Sequence, residues 1–332
     1  MPFKDFIIFF ISLAVIIKSA DLFTSGTAGL AEALRIPRMI IGLTIVSLAT
    51  SAPEFTVSTF SAYMSRLPAE GSAGGMAVGN ALGSCIANIG LVLGLAAMVR
   101  TIHFQPKLIK IELKFLIGII VFLFLLMLDF RRGPGGLLKG GTLGFGDGIL
   151  LNILLIGSFF YIVKRELKIR SKLLQDGSPP LSMKKDLLKF SIGAIGVIAS
   201  AKYGIIPSGL NIAHFLKVPE VVIGLSMVAV GTSLPELFTA LVAASKNMGD
   251  IAAGTVIGSN IANILWVLGA SSLINPLPID SQTLTVTMPV MLFLTVIMLI
   301  FAKRGFRLVR REGALLFLVY LGYLFYLFKF AY

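Results

Sequence analysis

The sequence has little charge. Asp, Glu, Lys and Arg make up 14% of its 332 residues, against about 25% in an average soluble domain. Hydrophobic residues make up 56%, and mean hydropathy is +0.93. One soluble core could not cover that much apolar surface, so a soluble enzyme, a disordered chain and a nucleic-acid-binding domain are excluded. There is one cysteine, Cys85, so no intramolecular disulfide can form. Two histidines beside it are too few for a His/Cys metal cage, and no resident cofactor is expected. Acid is scarcer than base: 16 Asp+Glu against 29 Lys+Arg give a net charge of +13. In a membrane chain that excess reads as basic cytoplasmic loops rather than a polyanion partner.

What is present is a series of long uncharged runs. Met39–Ser65 carries one charge, Glu54; Gly71–Val99 carries none; Val221–Ser245 carries one, Glu236; Ile251–Ile279 and Ser281–Ala302 carry none. Each exceeds the roughly 20 residues that cross a bilayer as a helix. Weaker runs are Phe6–Leu34, about Leu108–Leu128, about Asp147–Val163, about Leu187–Leu210, and Gly313–Phe328. The expected fold is an all-α integral membrane protein of ten transmembrane helices, because backbone groups in lipid must be satisfied within the segment. The apolar N-terminal run is too long for a cleavable signal peptide, and neither end carries a lipidation motif.

Counting Lys and Arg by loop across ten spans gives 20 on one side and 7 on the other, with Lys18 and Lys202 inside spans. The basic side is expected to be cytoplasmic, which puts both termini outside a cell membrane crossed many times. The longest polar stretch, Lys164–Lys189, has net charge +5 and contains Gly177, Pro179 and Pro180. It reads as a cytoplasmic linker held near anionic lipid. The expected division is therefore residues 1–163, a basic linker 164–186, and residues 187–332.

The two halves repeat each other. Ile36–Phe55 (IPRMIIGLTIVSLATSAPEF) aligns with Val218–Leu237 (VPEVVIGLSMVAVGTSLPEL) with nine of 20 residues identical. Gly79–Gly94 (GNALGSCIANIGLVLG) aligns with Gly254–Gly269 (GTVIGSNIANILWVLG) with ten of 16 identical. The offsets, 182 and 175, differ by a longer first-half loop around Pro68–Gly75. Five spans per half is an odd number, so the second half starts on the opposite side: two inverted five-helix repeats. That architecture places a substrate site near the midplane where the repeats meet.

Glu54 and Glu236 carry the chemistry. A charge at the bilayer centre costs about 2.5–3.5 kcal/mol on insertion scales, and neither span holds a Lys or Arg at that depth. Each Glu follows a proline. Pro53 cannot donate to the carbonyl of Ala49, nor Pro235 to that of Gly231, so both helices should break there and turn freed carbonyls, with those of Thr50 and Thr232, into a cavity. Ser84 and Asn88 are four apart, as are Ser259 and Asn263, so each pair shares a helical face. The preceding Gly79-x-x-x-Gly83 and Gly254-x-x-x-Gly258 spacings allow close helix approach. Two carboxylates with neutral oxygens are a hard donor set, suited to Ca²⁺ and alkali cations. Their summed charge matches one Ca²⁺ or two Na⁺.

With these motifs the sequence resembles the calcium/cation antiporter superfamily, specifically its prokaryotic sodium/calcium exchangers. Gly231–Glu236 (GTSLPE) and Gly258–Asn263 (GSNIAN) are similar to the family's second-repeat motif; Ala49–Glu54 (ATSAPE) and Gly83–Asn88 (GSCIAN) are similar to its first. The resemblance implies Ca²⁺ bound centrally by Glu54 and Glu236 with backbone oxygens of Thr50 and Thr232. It implies flanking Na⁺ sites from Ser51 with Ser259 and Ser233 with Ser84, helped by backbone oxygens at Ser47 and Ala229. Asn88 and Asn263 would join the central cluster. Many family members hold Asp at the position of Asn263, so this chain has two site carboxylates rather than three.

The leading reading is a Na⁺/Ca²⁺ antiporter working by alternating access, a monomer whose partners are the two ions and the bilayer. Its alternatives are Ca²⁺/H⁺ or monovalent-cation exchange, then a cation channel on the same scaffold. An intramembrane enzyme is disfavoured because His103 and His214 fall near span ends, leaving no Ser–His pair at depth.

Overall fold

A computed structural model describes residues 3–34, 36–66, 73–128, 140–173, 183–205, 207, 208, 211 and 230–330. Among the described residues, seven helices are long and apolar enough to cross a membrane: Lys4–Leu34, Gly74–Val99, Phe145–Ile162, Lys184–Gly204, Gly249–Ile274, Thr283–Lys303 and Arg310–Lys329. An eighth candidate is a bent pair, Arg38–Thr50 with Ala52–Met64, turning by 44°. The fold is thus an all-α, multi-span membrane fold. Side chains on its outer faces are apolar; Ile156, Phe160 and Ile195 are each 68% exposed, as lipid-facing positions are where no water competes for them.

Of the remaining expected runs, Leu108–Leu128 is helical as Leu108–Glu112 followed by Leu113–Met127. Its first turns carry Lys110, Glu112 and Lys114. The run Val221–Ser245 is described from Val230 onward and contains the helix Leu234–Ser245. Residues 218–229 of the repeated stretch, the loop from Pro68 to Ser72, and residues 174–182 of the basic linker lie outside the described residues. The start of that linker differs from expectation. Helix Phe145–Leu173 runs ten residues into it, and Arg165 pairs with the buried Glu112 at 2.6 Å. Lys, Arg, Glu and Leu are good helix formers; the change from apolar to charged residues marks where the helix leaves the lipid, not where it stops.

The same order of elements recurs in both halves. A wide, π-type turn at Asn88–Leu93 is followed by Gly94–Val99, the strand Ile102–His103 and the helix Leu113–Met127. Its counterpart at Asn263–Leu268 is followed by Gly269–Ile274, the strand Leu277–Pro278 and the helix Met288–Lys303. The strand pairs cross between halves: Ile102–His103 joins Arg307–Leu308, and Thr142–Leu143 joins Leu277–Pro278, both antiparallel.

These contacts define two ends of the molecule. At one, Gly249 abuts Ile102 and Arg310 donates to the Val99 carbonyl. At the other, Gly74 abuts Pro278, Arg66 donates to the Ile274 carbonyl, and Asn275 donates to Ser65. Helices Gly74–Val99 and Gly249–Ile274 therefore run in opposite directions. Each has 26 residues, about 39 Å of helix, enough for the roughly 30 Å hydrocarbon layer.

Most buried apolar side chains form one cluster shared by both halves. Helices Phe3–Leu34 and Lys184–Ala199 stand beside it as a pair. Gly26 and Gly193 let their backbones meet, and Phe23 packs on Phe190 with ring centroids 4.8 Å apart. The two acids in the first run find partners: Asp21 pairs with Lys246 at 2.7 Å and Glu32 with Arg38 at 2.6 Å. Gly254 and Gly258 do what their spacing suggests, since a methyl on either would collide with the backbone at Met39 or Leu43. Gly79 does not. It is exposed, and no described atom lies near a methyl placed there.

Candidate functional site

The two helix breaks have nearly the same geometry. Ser51 leaves helical geometry at φ −79°, ψ 5°, and Ser233 at φ −85°, ψ 5°. A proline lies within the first two positions of the helix that follows each of them. Proline fits the start of a helix, where its missing N–H costs nothing, but not the interior. Each chain therefore stops at the serine and restarts, and the restart places Glu54 or Glu236 in its first turn.

Both carboxylates are fully buried, and both are held by hydroxyls from the other half. Ser233 donates to Glu54 Oε1 at 3.3 Å, and Ser51 donates to Glu236 Oε1 at 3.3 Å. Ser259 also donates to Glu236 Oε1, at 3.2 Å. Ser84 lies 3.3 Å from the Thr232 hydroxyl. The crossed pairing brings Glu54, Ser233, Ser84 and Thr232 together on one flank, and Glu236, Ser51 and Ser259 on the other.

Further expected residues line the same region. Thr50 donates to the Ser47 carbonyl at 3.3 Å, and Ser47 turns its hydroxyl back to Leu43 and Thr44. Asn88 donates to Asn260 Oδ1 at 3.1 Å. Asn263 is buried with neither polar side-chain atom hydrogen-bonded. Ala229 lies outside the described residues.

Among the described residues, four carbonyl or carboxylate oxygens of this region are buried without a hydrogen-bond donor: Glu54 Oε2, Glu236 Oε2, Asn88 Oδ1 and Asn263 Oδ1. A buried polar atom without a partner costs about 1–3 kcal/mol, more when charged. Four acceptors on facing helices form a set that a bound cation can satisfy. Among the described residues no group of three or more His, Cys, Asp or Glu is assembled, so the donor set is two carboxylates completed by amide, hydroxyl and backbone oxygens. That set fits a hard cation and offers nothing to a soft one.

Sequence reasoning missed two residues. Asn80 is buried and bridges Glu54, Ser58 and Thr232. Its signal was its place one helical turn before Ser84, on the face shared with Asn88. Asn260 is buried against Cys85, donating to its carbonyl at 3.1 Å. The repeat alignment had paired those two positions without showing that they touch.

Known proteins resemble the chain along nearly its whole length. A family model described as "Sodium/calcium exchanger protein" matches residues 4–164 and 187–329. "Putative antiporter CaxA" of Alkalimonas amylolytica is 34% identical over 324 residues, spanning 96% of this chain and 97% of that protein. "Sodium/calcium exchanger MaX1" of Methanosarcina acetivorans is 30% identical over 363 residues, covering 98% of each. Among solved structures, the sodium-calcium exchanger NCX_Mj soaked with zero Na⁺ and Ca²⁺ superposes with a TM-score of 0.80 at 31% identity, covering 97% of this chain and 98% of that one.

Proposed function

From the premise that this chain belongs to the sodium/calcium exchanger protein family, we propose that it is a secondary active antiporter that exchanges Ca²⁺ for Na⁺ by alternating access. The observation that carries this reading is the facing pair Glu54 and Glu236. Both are buried, each is held by a hydroxyl from the opposite half, and each has one carboxylate oxygen that no protein donor reaches.

Ca²⁺ is bound between these carboxylates, with Asn88, Asn263 and backbone oxygens of Thr50 and Thr232 completing its shell. Na⁺ occupies the flanks, formed by Ser51 with Ser259 and by Ser233 with Ser84, together with backbone oxygens of Ser47 and Ala229. The charge of −2 is matched by one Ca²⁺ or two Na⁺. An empty site would leave both carboxylates uncompensated in a medium of low dielectric. The protein therefore changes orientation loaded with one kind of ion or the other, and exchange follows.

The full architecture in this reading is ten spans in two inverted repeats, residues 1–163 and 187–332, joined by a basic linker, 164–186. The opposed directions of Gly74–Val99 and Gly249–Ile274 and the recurring element order support it, as does the alternation of basic loops. The linker faces the cytoplasm, both termini lie outside, and one chain forms the functional unit. The test is Ca²⁺ uptake into proteoliposomes against an imposed Na⁺ gradient. Uptake that requires outward Na⁺ movement is the expected result. Ca²⁺ flux with no opposing ion would show a channel instead, and Na⁺ exchange without Ca²⁺ would show a monovalent-cation exchanger.

A further inference from the structure

Two buried hydroxyls lie one turn from Glu236. Helices Leu234–Ser245 and Gly249–Ala262 pack against each other in opposite directions, joined by Lys246, Asn247 and Met248. Ser259 fixes their register by donating to Glu236 Oε1 at 3.2 Å. One turn further toward Lys246, the first helix carries Thr239, three residues after Glu236, and the second carries Thr255, four residues before Ser259. These spacings keep each threonine on the helix face of its neighbour in the site. Thr239 is 1% exposed and Thr255 0%, and neither hydroxyl has a hydrogen-bond partner among the described residues.

A helical threonine has a partner close by in its own backbone. Thr27, Thr44, Thr59 and Thr295 each donate to the carbonyl four residues back. Thr239 and Thr255 do not, so each keeps its lone pairs and its proton uncommitted. A buried hydroxyl left that way is costly, and two of them on neighbouring turns call for a polar guest. The matching turn of the first repeat, on the side of Arg66, is built differently. There Val57 stands in place of Thr239 and Asn80 in place of Thr255. The Asn80 amide is already engaged, donating to Ser58 Oγ at 2.9 Å and to the Glu54 carbonyl at 3.2 Å. The hydroxyls next to Glu236 are therefore not a requirement of the repeat; the other copy fills the same turn with groups that satisfy each other.

We propose that Thr239 and Thr255 form a transit site for the exchanged cations, between Glu236 and the end of the molecule that bears Lys246. This rests on the exchange reading above, in which that end is cytoplasmic. A cation leaving Glu236 for water crosses apolar packing in which Ala240, Ala243 and Ile251 offer it nothing. Two hydroxyl oxygens one turn away stand in for part of its hydration shell during that step, as fixed oxygens do along an ion pathway. The threonines lie outside the central ligand set. They govern how fast an ion enters and leaves, not how tightly the loaded site holds it.

The experiment compares Thr239→Val, Thr255→Val and the double variant with the full-length parent. Na⁺-driven uptake of radioactive Ca²⁺ into proteoliposomes gives the rate, and equilibrium Ca²⁺ binding in detergent gives the affinity. Each single variant should slow exchange about threefold to tenfold, the worth of one net hydrogen bond. The double variant should slow it by more than either. Ca²⁺ affinity should change by less than about twofold, because the carboxylates are untouched. The thermal midpoint should stay level or rise, since valine removes a buried polar group that nothing satisfies. Thr239→Ser and Thr255→Ser keep the hydroxyl and should exchange at close to the parental rate. A double variant that exchanges like the parent would overturn the proposal. So would a lowered midpoint together with weakened Ca²⁺ binding, which would make the pair the seat of a structural water. Glu236→Gln, run in parallel, separates the two levels. If it still binds Ca²⁺ normally, the exchange-site reading itself fails; if it loses Ca²⁺ while the valine variants exchange like the parent, only the transit site is rejected.

Discussion

Cys85 and Asn260 occupy the same position of the two repeated motifs, 175 residues apart, and they touch. Asn260 Nδ2 donates to the Cys85 carbonyl at 3.1 Å, and Cys85 Sγ lies 3.8 Å from the Asn260 carbonyl. Under two-fold symmetry a residue meets its own counterpart only on the axis. The pair therefore marks where the axis of the duplication passes, next to Ser84 and Ser259 and within one turn of Asn88 and Asn263. The expected site residues surround this contact, and each half supplies a hydroxyl that holds the other half's carboxylate.

This arrangement makes the two sides of the contact unequal in cost. Asn260→Ala removes the donor to the Cys85 carbonyl and the acceptor for Asn88. It should destabilise the protein by about 1–3 kcal/mol. Cys85→Ala loses only a weak thiol contact and should cost about 1 kcal/mol or less. Thermal unfolding of both variants in one detergent measures the difference, and a larger loss for Cys85→Ala would contradict it.

Glu54→Gln and Glu236→Gln should each abolish Ca²⁺ exchange while leaving the protein inserted. Each carboxylate supplies half the charge opposing a divalent ion. Two unit charges about 4 Å apart interact by about 4 kcal/mol at an effective dielectric of about 20, and a divalent ion doubles that, so losing one carboxylate should cost at least on the order of a thousandfold in affinity. Gln keeps the carbonyl that accepts from Ser233 or from Ser51 and Ser259, and insertion is not penalised by losing a charge. Proteoliposome flux at matched protein amounts is the measurement; near-normal Ca²⁺ flux in either variant would place the site elsewhere.

Arg165→Ala should be among the more destabilising changes outside the site. It removes one partner of Glu112, whose carboxylate is buried, at a pair distance of 2.6 Å. Breaking a buried ion pair by deleting one member costs about 3–5 kcal/mol. A thermal midpoint in detergent unchanged from the parent would show that the pair is not sustained.

How much of this was legible follows from what each residue costs. Glu54 and Glu236 stood out because an acid in an apolar span needs a reason, and Pro53 and Pro235 stood out because proline breaks a helix. The 44° bend at Ser51 follows from that pattern. Asn80 was hidden because it is neutral, occurs in only one repeat, and bonds to Glu54, Ser58 and Thr232 on other segments. The strand pairs were hidden as well: each strand has two residues, and Thr142–Leu143 meets its partner 135 residues later at Leu277–Pro278. The π-type turns after Ala87 and Ala262 leave no mark because one wide turn barely shifts an apolar periodicity over six residues.

Sidedness has its own test. In a Cys85→Ala protein, a single cysteine placed at Ser178 should react with a membrane-impermeant thiol reagent only from the cytoplasmic side, as the 20-to-7 distribution of basic residues requires. Labelling from outside intact cells would invert the topology.

The final prediction concerns Asn263. Both of its polar side-chain atoms are buried without a hydrogen-bond partner, on a helix face shared with Ser259, which binds Glu236. Asn offers one carbonyl acceptor and can never ionise, so the site's charge is set by Glu54 and Glu236 alone. At −2, one Ca²⁺ or two Na⁺ make the cavity neutral, and a third Na⁺ would leave a charge of +1 to be carried. Ca²⁺ exchange by the parent protein should therefore proceed with little response to membrane potential when two Na⁺ are moved. Asn263→Asp adds a third carboxylate. When ionised, it lets the site hold three Na⁺ in a neutral cavity and leaves the Ca²⁺-loaded site at −1. Exchange of one Ca²⁺ for three Na⁺ would then move net charge, and Ca²⁺ uptake should become sensitive to an imposed potential. Uptake into proteoliposomes with the potential set by K⁺ and valinomycin measures this directly. If the parent carries no Ca²⁺ and Asn263→Asp acquires it, two carboxylates are not enough, and the native protein exchanges monovalent cations on the same scaffold.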